Sequence, residues 1–175
     1  MGSLANTHRD YSSDWWTPPA RMDWVRETLG REPFDPCPQD WSPDTHPCGL
    51  TIPWRDGTYI NHPGSRGSTK RWWSKAHAEV VGRGIDLIWC MFNIEQLRHM
   101  YPTPLSLDGY LVLPRERTPF IWGGPSNDKR THGEPCTSPG NWTAWWSSVE
   151  PAKPPFESTV LRTFAAHVRG EVIEL

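Results

Sequence analysis

The sequence has no large excess of charge of one sign, because 18 Lys and Arg residues stand against 20 Asp and Glu residues and leave a net charge of −2. This balance does not attract the whole molecule to nucleic acid, so contact with DNA would have to come from a local patch. No run of 18 apolar residues occurs, and the sequence therefore predicts no membrane span. Residues 1–13 carry no apolar signal segment and predict a flexible polar lead, so we expect a cytoplasmic protein.

Motifs that hold phosphate groups or metal ions are also missing. The sequence has neither a G-x-G-x-x-G dinucleotide fingerprint nor a G-x-x-x-x-G-K phosphate loop. Its four cysteines include no C-x-x-C pair. Cys37, Cys48 and His46 could begin a zinc site, but no second close pair completes a tetrahedral set of ligands. We therefore expect reduced, structural thiols and no bound metal.

Tryptophan and proline, by contrast, are abundant, with 12 and 19 residues respectively. Proline interrupts both helices and sheets, so this composition predicts a loop-rich chain with short elements. The tryptophan rings can pack in the core, or they can offer a flat surface on which a flipped or single-stranded base stacks. We expect core packing for most of them.

Hydrophobic patterns and capping residues predict alternating helices and strands. The apolar run "IDLIWCMF", bounded by Gly84 and Asn93, is typical of a strand buried on both faces. Helices are predicted in "ARMDWVRETLG", "STKRWWSKAHAEVVGRG", "NIEQLRHMY" and "PFESTVLRTFAAHV", and further strands in "EPFDPCP", "GTYINHP", "GYLVLP", "TPFIW" and "NWTAWWSS". A long loop is predicted from Gly123 to Gly140. This order indicates one α/β domain with a mostly parallel sheet flanked by helices.

Three short segments carry the candidate chemistry: "DWWTPP" (14–19), "FDPCP" (34–38) and "INHPGS" (60–65). The last segment is typical of a strand that runs into an abrupt loop, because Pro63 ends a ladder and Gly64 permits a turn. A plain turn is the alternative, since Asn, Pro and Gly are common turn residues. The functional hypothesis depends on all three segments occurring together and in this order.

In order and spacing, the three segments resemble the phage-type DNA adenine-N6 methyltransferases, a small Dam-like family of phages and prophages. That family has a W-x-T-P opening, a D-x-x-A element, a G-L…W step and then N-P-P-Y-S. In this sequence the step is Gly49-Leu50 and Trp54, and it precedes Asn61. The resemblance covers Asp14 to Ser148.

The resemblance implies a single domain over residues 14–175 with a Rossmann-like methyltransferase fold, and S-adenosylmethionine as its cofactor. Thr17 and Pro18 would frame the methionine end of the cofactor. Asp35, at the tip of the first strand, and Cys37, in the same element, would lie at the cofactor pocket. Ligands in open α/β sheets bind beyond the carboxyl ends of the strands, and these residues are expected there.

The resemblance assigns the chemistry to Asn61, His62 and Pro63. The exocyclic amine of a base is a poor nucleophile because its lone pair is delocalised into the ring. The side-chain carbonyl of Asn61 and the backbone carbonyl of His62 would accept the two amine hydrogens and draw the lone pair out of the ring plane. Asn61 and Pro63 would form the floor of the base pocket. The base must first leave the duplex, and an aromatic residue normally stacks on it.

The sequence departs from N-P-P-Y at two positions. His62 replaces the first proline and adds a titratable group, which could act as a general base or could simply be solvated. Gly64 replaces the tyrosine, so the stacking ring is missing. Three possibilities stay open: another ring such as Trp72 or Trp73 stacks on the base, the substrate is not an ordinary adenine, or transfer activity has been lost.

Basic residues interleaved with aromatic rings suit a nucleic-acid strand, and they occur directly after this loop. We expect DNA contacts from Gly64, Ser65, Arg66, Lys70, Arg71, Trp72 and Trp73, and from Lys129 and Arg130 in the long loop. The alternative for the first group is a solvated helix face with its tryptophans packed inward.

The resemblance therefore implies a phage or prophage enzyme that acts in the host cytoplasm, methylates adenine in DNA and helps to evade restriction. One alternative is an enzyme that transfers another group to a DNA base, including a base that is already modified. A second alternative is a non-catalytic protein that binds DNA or inhibits a DNA-acting enzyme. The sequence does not indicate an oligomeric state.

Overall fold

The computed structural model describes residues 15–41, 44–62, 66–91, 103–104, 107–136 and 143–163, without the side chains of residues 66 and 67. The helices in this part of the chain are α1 (Pro19–Leu29) and α2 (Arg66–Arg83). Its strands are β1 (Trp15–Trp16), β2 (Thr58–Ile60), β3 (Leu87–Met91), β4 (Gly109–Pro114), β5 (Ile121–Trp122), β6 (Ala144–Ser147) and β7 (Ser158–Thr163).

Five strands form one mixed sheet in the order β2-β3-β6-β4-β7, while β1 and β5 pair in a separate two-stranded sheet. In the five-stranded sheet only β2 and β3 are parallel, and the other three neighbouring pairs are antiparallel. Helix α2 lies between β2 and β3 in the chain and provides the crossover that a parallel pair requires. The remaining neighbours need no such crossover, because antiparallel strands can be joined by short turns.

The predicted Rossmann-like fold, with a mostly parallel sheet flanked by helices, is therefore wrong. The described residues contain two helices and a mixed sheet in which antiparallel pairs predominate. The difference arises in the second half of the chain, where the described connections after β4 contain no helix. The order of elements along the sequence does not specify strand direction, and here strand direction decided the fold class.

The helix predicted in "PFESTVLRTFAAHV" is also wrong where the structure describes it. Ser158–Thr163 forms β7, an edge strand that pairs antiparallel with β4. Thr159, Val160 and Thr163 are β-branched, and such side chains favour strands over helices. Residues 164–168 of that predicted helix, and the whole helix predicted in "NIEQLRHMY", lie outside the described residues.

Helix α1 confirms the prediction made from its proline and glycine boundaries. It begins at Pro19 after an extended Pro18, and it ends at Gly30, which has a φ of 65°. The Gly30 N–H donates to the carbonyl oxygen of Glu27, as is common where a glycine terminates a helix. No helix in the described part of the chain is long and apolar enough to cross a membrane.

The sheet carries a hydrophobic core on each face, and β3 contributes to both. Leu87, Trp89 and Met91 pack with α2, whereas Ile88 and Cys90 pack with α1. Core packing of most tryptophans is confirmed, since the fully buried side chains include Trp24, Trp54, Trp72, Trp73, Trp89, Trp145 and Trp146. Most of the aromatic surface therefore holds the fold together.

One edge of the sheet positions the candidate site. Phe34 forms a single parallel bridge to Thr58 at the start of β2, and this bridge is what remains of the predicted strand ending at Asp35. Asp35 follows the bridge, and Asn61 follows the end of β2. Because parallel strands present their carboxyl ends on the same side, both residues leave the sheet at one edge.

Candidate functional site

The three segments that carry the candidate chemistry line one cavity of about 500 Å³, which we call the main cavity. Small-molecule sites typically have volumes of about 300–1,000 Å³. The lining residues are Trp15, Thr17, Pro19, Met22, Arg26, Asp35, Cys37, Pro38, Gln39, Asp40, Tyr59, Asn61 and His62. The fold thus brings together most of the residues that the sequence assigned to cofactor binding and catalysis.

Asn61 has a fixed amide orientation and an unused acceptor. Its Nδ2 donates to the carbonyl oxygen of Trp15 at 2.8 Å and to Oγ1 of Thr17 at 3.1 Å. Its Oδ1 is buried and accepts no hydrogen bond from any residue that the structure describes. An oxygen in this state costs free energy unless a ligand donates to it. The arrangement therefore suits a ligand with an N–H group.

Thr17 and Tyr59 continue the hydrogen-bond chain that begins at Asn61. Their hydroxyl oxygens are 2.6 Å apart, and both residues are buried. Burial raises the pKa of the Tyr59 hydroxyl well above its usual value, so Tyr59 stays neutral. The resulting chain from Tyr59 through Thr17 to Asn61 consists of neutral groups and holds the amide in place.

Asp35 is a carboxylic acid of the main cavity whose pKa is raised. Its Oδ1 accepts a hydrogen bond from the backbone N–H of Cys37 at 2.8 Å, and part of its surface remains exposed. Desolvation raises the pKa of Asp35 to about 7, with a smaller contribution in the same direction from the charge of Asp40. A cationic ligand would favour the carboxylate, because an opposite charge nearby stabilises the ionised form.

The imidazole of His62 has a structural role. Nε1 of Trp89 donates to Nδ1 of His62 at 3.0 Å, so the ring proton lies on Nε2, which donates to Oγ1 of Thr69 at 2.9 Å. Burial lowers the pKa of His62 to about 3. A ring that is neutral and bonded at both nitrogens does not fit a general base, which corrects that part of the sequence interpretation. The role of the His62 backbone carbonyl stays a prediction.

The remaining residues of the predicted catalytic loop are not placed. Pro63, Gly64 and Ser65 lie outside the described residues. Arg66 is the first residue of α2, and its side chain is not described. Pro18, predicted to frame the cofactor, precedes α1 directly beside Thr17.

The residues of α2 that were predicted to bind DNA separate into two groups. Lys70 and Arg71 are exposed and line a shallow pocket on the outer side of the helix. Trp72 and Trp73 are each 1% exposed. Trp73 stacks on Trp89 in the core with ring centroids 5.0 Å apart. The two tryptophans therefore do not offer a surface to a base, and the inward-packed alternative holds for them.

In the long loop, Lys129 is exposed while Arg130 packs on aromatic rings. The Arg130 guanidinium lies 4.6 Å from the ring centroid of Trp15 and 4.6 Å from that of Trp122. Backbone hydrogen bonds between Asn127 and Arg130 close the turn that carries both cations. This contact places the predicted phosphate-binding loop beside the main cavity, because Trp15 lines that cavity.

Sequence reasoning missed several residues of the main cavity, including Trp15, Met22 and Tyr59. Tyr59 could have been found from strand periodicity, because it precedes Asn61 by two positions, the spacing at which side chains share a face of a strand. Met22 could have been found from the helix that begins at Pro19, because residues three positions apart are neighbours on a helix surface and Pro19 also lines the cavity. The place of Trp15 in the cavity could not be predicted from the residues around it, because its location depends on pairing with β5.

Within the described residues, no group of three or more His, Cys, Asp or Glu side chains could hold a metal ion. Comparisons of the chain with protein-family models, with curated proteins and with solved structures found no match. The evidence on function therefore comes from the residues of the site.

Proposed function

We propose that the protein binds S-adenosylmethionine in the main cavity and methylates the exocyclic amine of a DNA base, with adenine N6 as the leading substrate. The observation that carries this proposal is Asn61: a buried amide whose nitrogen is engaged and whose oxygen lacks a donor among the described residues. An exocyclic amine presents the N–H group that this oxygen lacks.

The residues of the main cavity fit the cofactor chemically. S-adenosylmethionine supplies an electrophilic methyl group on a sulfonium centre, and it also carries an ammonium group. Asp35 offers a carboxylate for a cationic group, and its pKa of about 7 means that a bound cation would shift it toward the ionised form. Met22 and Cys37 add apolar surface to the lining.

Asn61 would act on the amine by accepting one of its hydrogens. That hydrogen bond would draw the nitrogen lone pair out of conjugation with the base ring. The lone pair could then bond to the transferred methyl carbon while the bond from that carbon to sulfur breaks and S-adenosylhomocysteine leaves. The backbone carbonyl of His62, the next residue in the chain, is the proposed acceptor of the second hydrogen. The proton that the amine loses would go to solvent, because burial lowers the pKa of His62 to about 3.

Two measurements on the unmodified full-length chain test this proposal. Calorimetry with S-adenosylmethionine should give a measurable binding heat and a stoichiometry of one. Mass spectrometry of nucleosides from DNA incubated with protein and cofactor should then show a methylated base, with methyladenine as the expected species. Heat-denatured protein serves as the control.

The outcomes separate the proposal from its alternatives. Cofactor binding without methylated nucleoside, on DNA of mixed sequence, would contradict methyl transfer. The absence of binding heat at millimolar cofactor would exclude S-adenosylmethionine and leave another donor. DNA binding with no nucleoside modification under any condition would favour a non-catalytic DNA-binding protein.

A further inference from the structure

The main cavity contains one aromatic ring that retains exposed surface. Tyr59 and His62 also line the cavity, but each is 1% exposed. Tyr59 stacks on Trp145 in the core, with ring centroids 6.2 Å apart. Trp15 is only partly buried. Among the described lining residues, its indole is therefore the aromatic surface that a planar ligand can reach.

Trp15 is held in position by three separate contacts. The backbone of Trp15 pairs with that of Trp122 in the two-stranded sheet, and the two rings meet edge to face with centroids 5.1 Å apart. The guanidinium of Arg130 lies 4.6 Å from the centroid of the Trp15 ring. The Trp15 carbonyl oxygen accepts a hydrogen bond from Asn61. The ring is thus attached through its own backbone to the residue that bears the unused acceptor.

Arg130 contacts this ring, and a second cation, the exposed Lys129, precedes it in the chain. Neither Lys129 nor Arg130 forms an ion pair with a described residue. A ring stacked with a guanidinium, next to a second exposed cation, combines base stacking with attraction to a phosphate backbone. Proteins bind single-stranded or extruded nucleotides with this combination.

We propose that Trp15 is the residue on which the target base stacks, and that Lys129 and Arg130 contact the phosphates on either side of it. Trp15 would then supply the ring that is missing at Gly64, from a different part of the chain. This inference rests on the proposed function, because it takes a nucleotide base as the occupant of the main cavity. It goes further by naming the stacking residue and by linking it to the loop that carries the cations.

The test compares two single-stranded ligands on the full chain by fluorescence anisotropy. One is an oligodeoxyadenylate, and the other is an oligomer of equal length with abasic residues, which has the same phosphates and no bases. Stacking on an aromatic side chain changes affinity by roughly 5- to 150-fold per base. The wild type should therefore prefer the adenylate, and Trp15→Leu should lose most of this preference.

Three further variants complete the comparison. Trp16→Leu is the matched control, because Trp16 lies on the same strand, contacts His132 and does not line the main cavity. It should keep the wild-type preference. Lys129→Gln should lower the affinity for both ligands by the same factor, since it removes only a phosphate contact. Trp15→Phe retains a ring and should keep part of the preference for adenylate. If Trp15→Leu fails to fold, this variant still tests whether the ring at position 15 sets the preference.

The results distinguish this inference from the proposed function. If the wild type methylates DNA while both Trp15 variants keep the full preference for adenylate, Trp15 is not the stacking residue and methyl transfer stands. An equal loss in Trp15→Leu and Trp16→Leu would also overturn the assignment. If the wild type neither methylates DNA nor discriminates between the two ligands, the proposed function fails together with this inference.

Discussion

At Asn61, the side-chain nitrogen donates two hydrogen bonds, and the side-chain oxygen accepts none from any residue that the structure describes. Leaving a buried acceptor without a donor costs about 1–3 kcal/mol, so few such groups persist without a reason. A ligand N–H that completes the bond would recover this free energy. The local chemistry of one residue therefore supports a substrate that carries an amine.

We expect Asn61→Ala to abolish most methyl transfer while the fold remains. Removing one preorganised electrostatic partner lowers turnover by roughly 100- to 1,000-fold. The measurement is incorporation of labelled methyl groups into DNA, with cofactor affinity and thermal unfolding as controls. Cofactor affinity should stay near its wild-type value, and the loss of the hydrogen bonds to Trp15 and Thr17 should lower the free energy of unfolding by no more than about 1–3 kcal/mol. Turnover close to that of the wild type would remove Asn61 from the mechanism.

Asp35 should make cofactor binding depend on pH. Because its pKa is raised to about 7, the carboxyl group is protonated in mildly acidic solution and must lose its proton to pair with a cation. The dissociation constant for S-adenosylmethionine should therefore increase as the pH falls below 7, by at most about tenfold per pH unit.

Calorimetry of two asparagine variants isolates this effect. Asp35→Asn should bind more weakly than the wild type above pH 7 and should show no pH dependence from this group. Asp40→Asn is the matched control, since Asp40 lines the same cavity but is exposed. It should keep the pH dependence with its midpoint moved slightly to lower pH, because the charge of Asp40 contributes to the raised pKa of Asp35. A profile for Asp35→Asn that matches the wild type would show that Asp35 does not contact the cofactor.

At the scale of elements, His62 joins three parts of the fold. It follows β2, accepts a hydrogen bond from Trp89 on β3 and donates one to Thr69 on α2. These bonds connect the end of one strand to the neighbouring strand and to the helix that joins the two. The histidine at this position therefore has a packing role.

Two substitutions at His62 should separate the contribution of its hydrogen bonds to stability from the contribution of its packed ring. His62→Leu leaves the indole N–H of Trp89 without its acceptor, and each such orphaned group costs about 1–3 kcal/mol. His62→Gln can still accept from Trp89 and donate to Thr69, so it should lose less stability. Urea unfolding measures both variants. Equal losses would mean that the hydrogen bonds contribute nothing and that only ring packing matters.

The contact between β1 and the loop after β5 depends on a glycine. A Cβ atom at Gly123 would lie 2.1 Å from the indole of Trp16, which is impossible without a shift. Gly123→Ala should therefore push the two-stranded sheet apart, displace Trp15 and weaken binding of the adenylate oligomer. Gly82→Ala is the matched control, because a Cβ at Gly82 meets nothing within 4 Å. It should be neutral or stabilising by roughly 0.5–1 kcal/mol. Equal oligomer affinity in both variants would contradict this role of Gly123.

At the scale of the whole molecule, two groups with shifted pKa values should have opposite effects on how stability depends on pH. The pKa of Asp35 is raised from 3.8 to about 7, so between these values the folded protein binds one proton more than the unfolded chain, and stability falls as the pH rises. The pKa of His62 is lowered from 6.5 to about 3, so here the unfolded chain binds the extra proton, and stability rises with pH.

The two slopes should nearly cancel in the wild type where the windows overlap, between about pH 4 and pH 6.5. In Asp35→Asn only the contribution of His62 to the pH dependence should remain. The free energy of unfolding should then fall by about 1.4 kcal/mol for each pH unit of acidification. In His62→Gln only the contribution of Asp35 should remain, so the free energy of unfolding should rise by the same amount for each pH unit of acidification. Urea unfolding across this range measures both. Parallel profiles for the two variants would show that the pKa of Asp35 or of His62 is not shifted in the folded protein as the structure indicates.

Several features followed from local sequence alone. Proline and glycine boundaries predicted α1, and an uninterrupted apolar run predicted the fully buried β3. These predictions succeeded because caps, periodicity and strand ends depend on residues close together in the chain. The same reasoning failed for β7, where pairing with β4 at the sheet edge outweighed the helical pattern.

Only the tertiary structure decided the direction of the strands, the burial of Trp72, Trp73 and His62, and the place of Trp15 beside Asn61. Each of these depends on residues far apart in the chain. Strand direction depends on which strand pairs with which, and a pKa depends on how much water the whole fold removes from a group. The sequence by itself determined which chemical groups the site contains. The packing of distant segments determined which of those groups remain accessible, and in which protonation state.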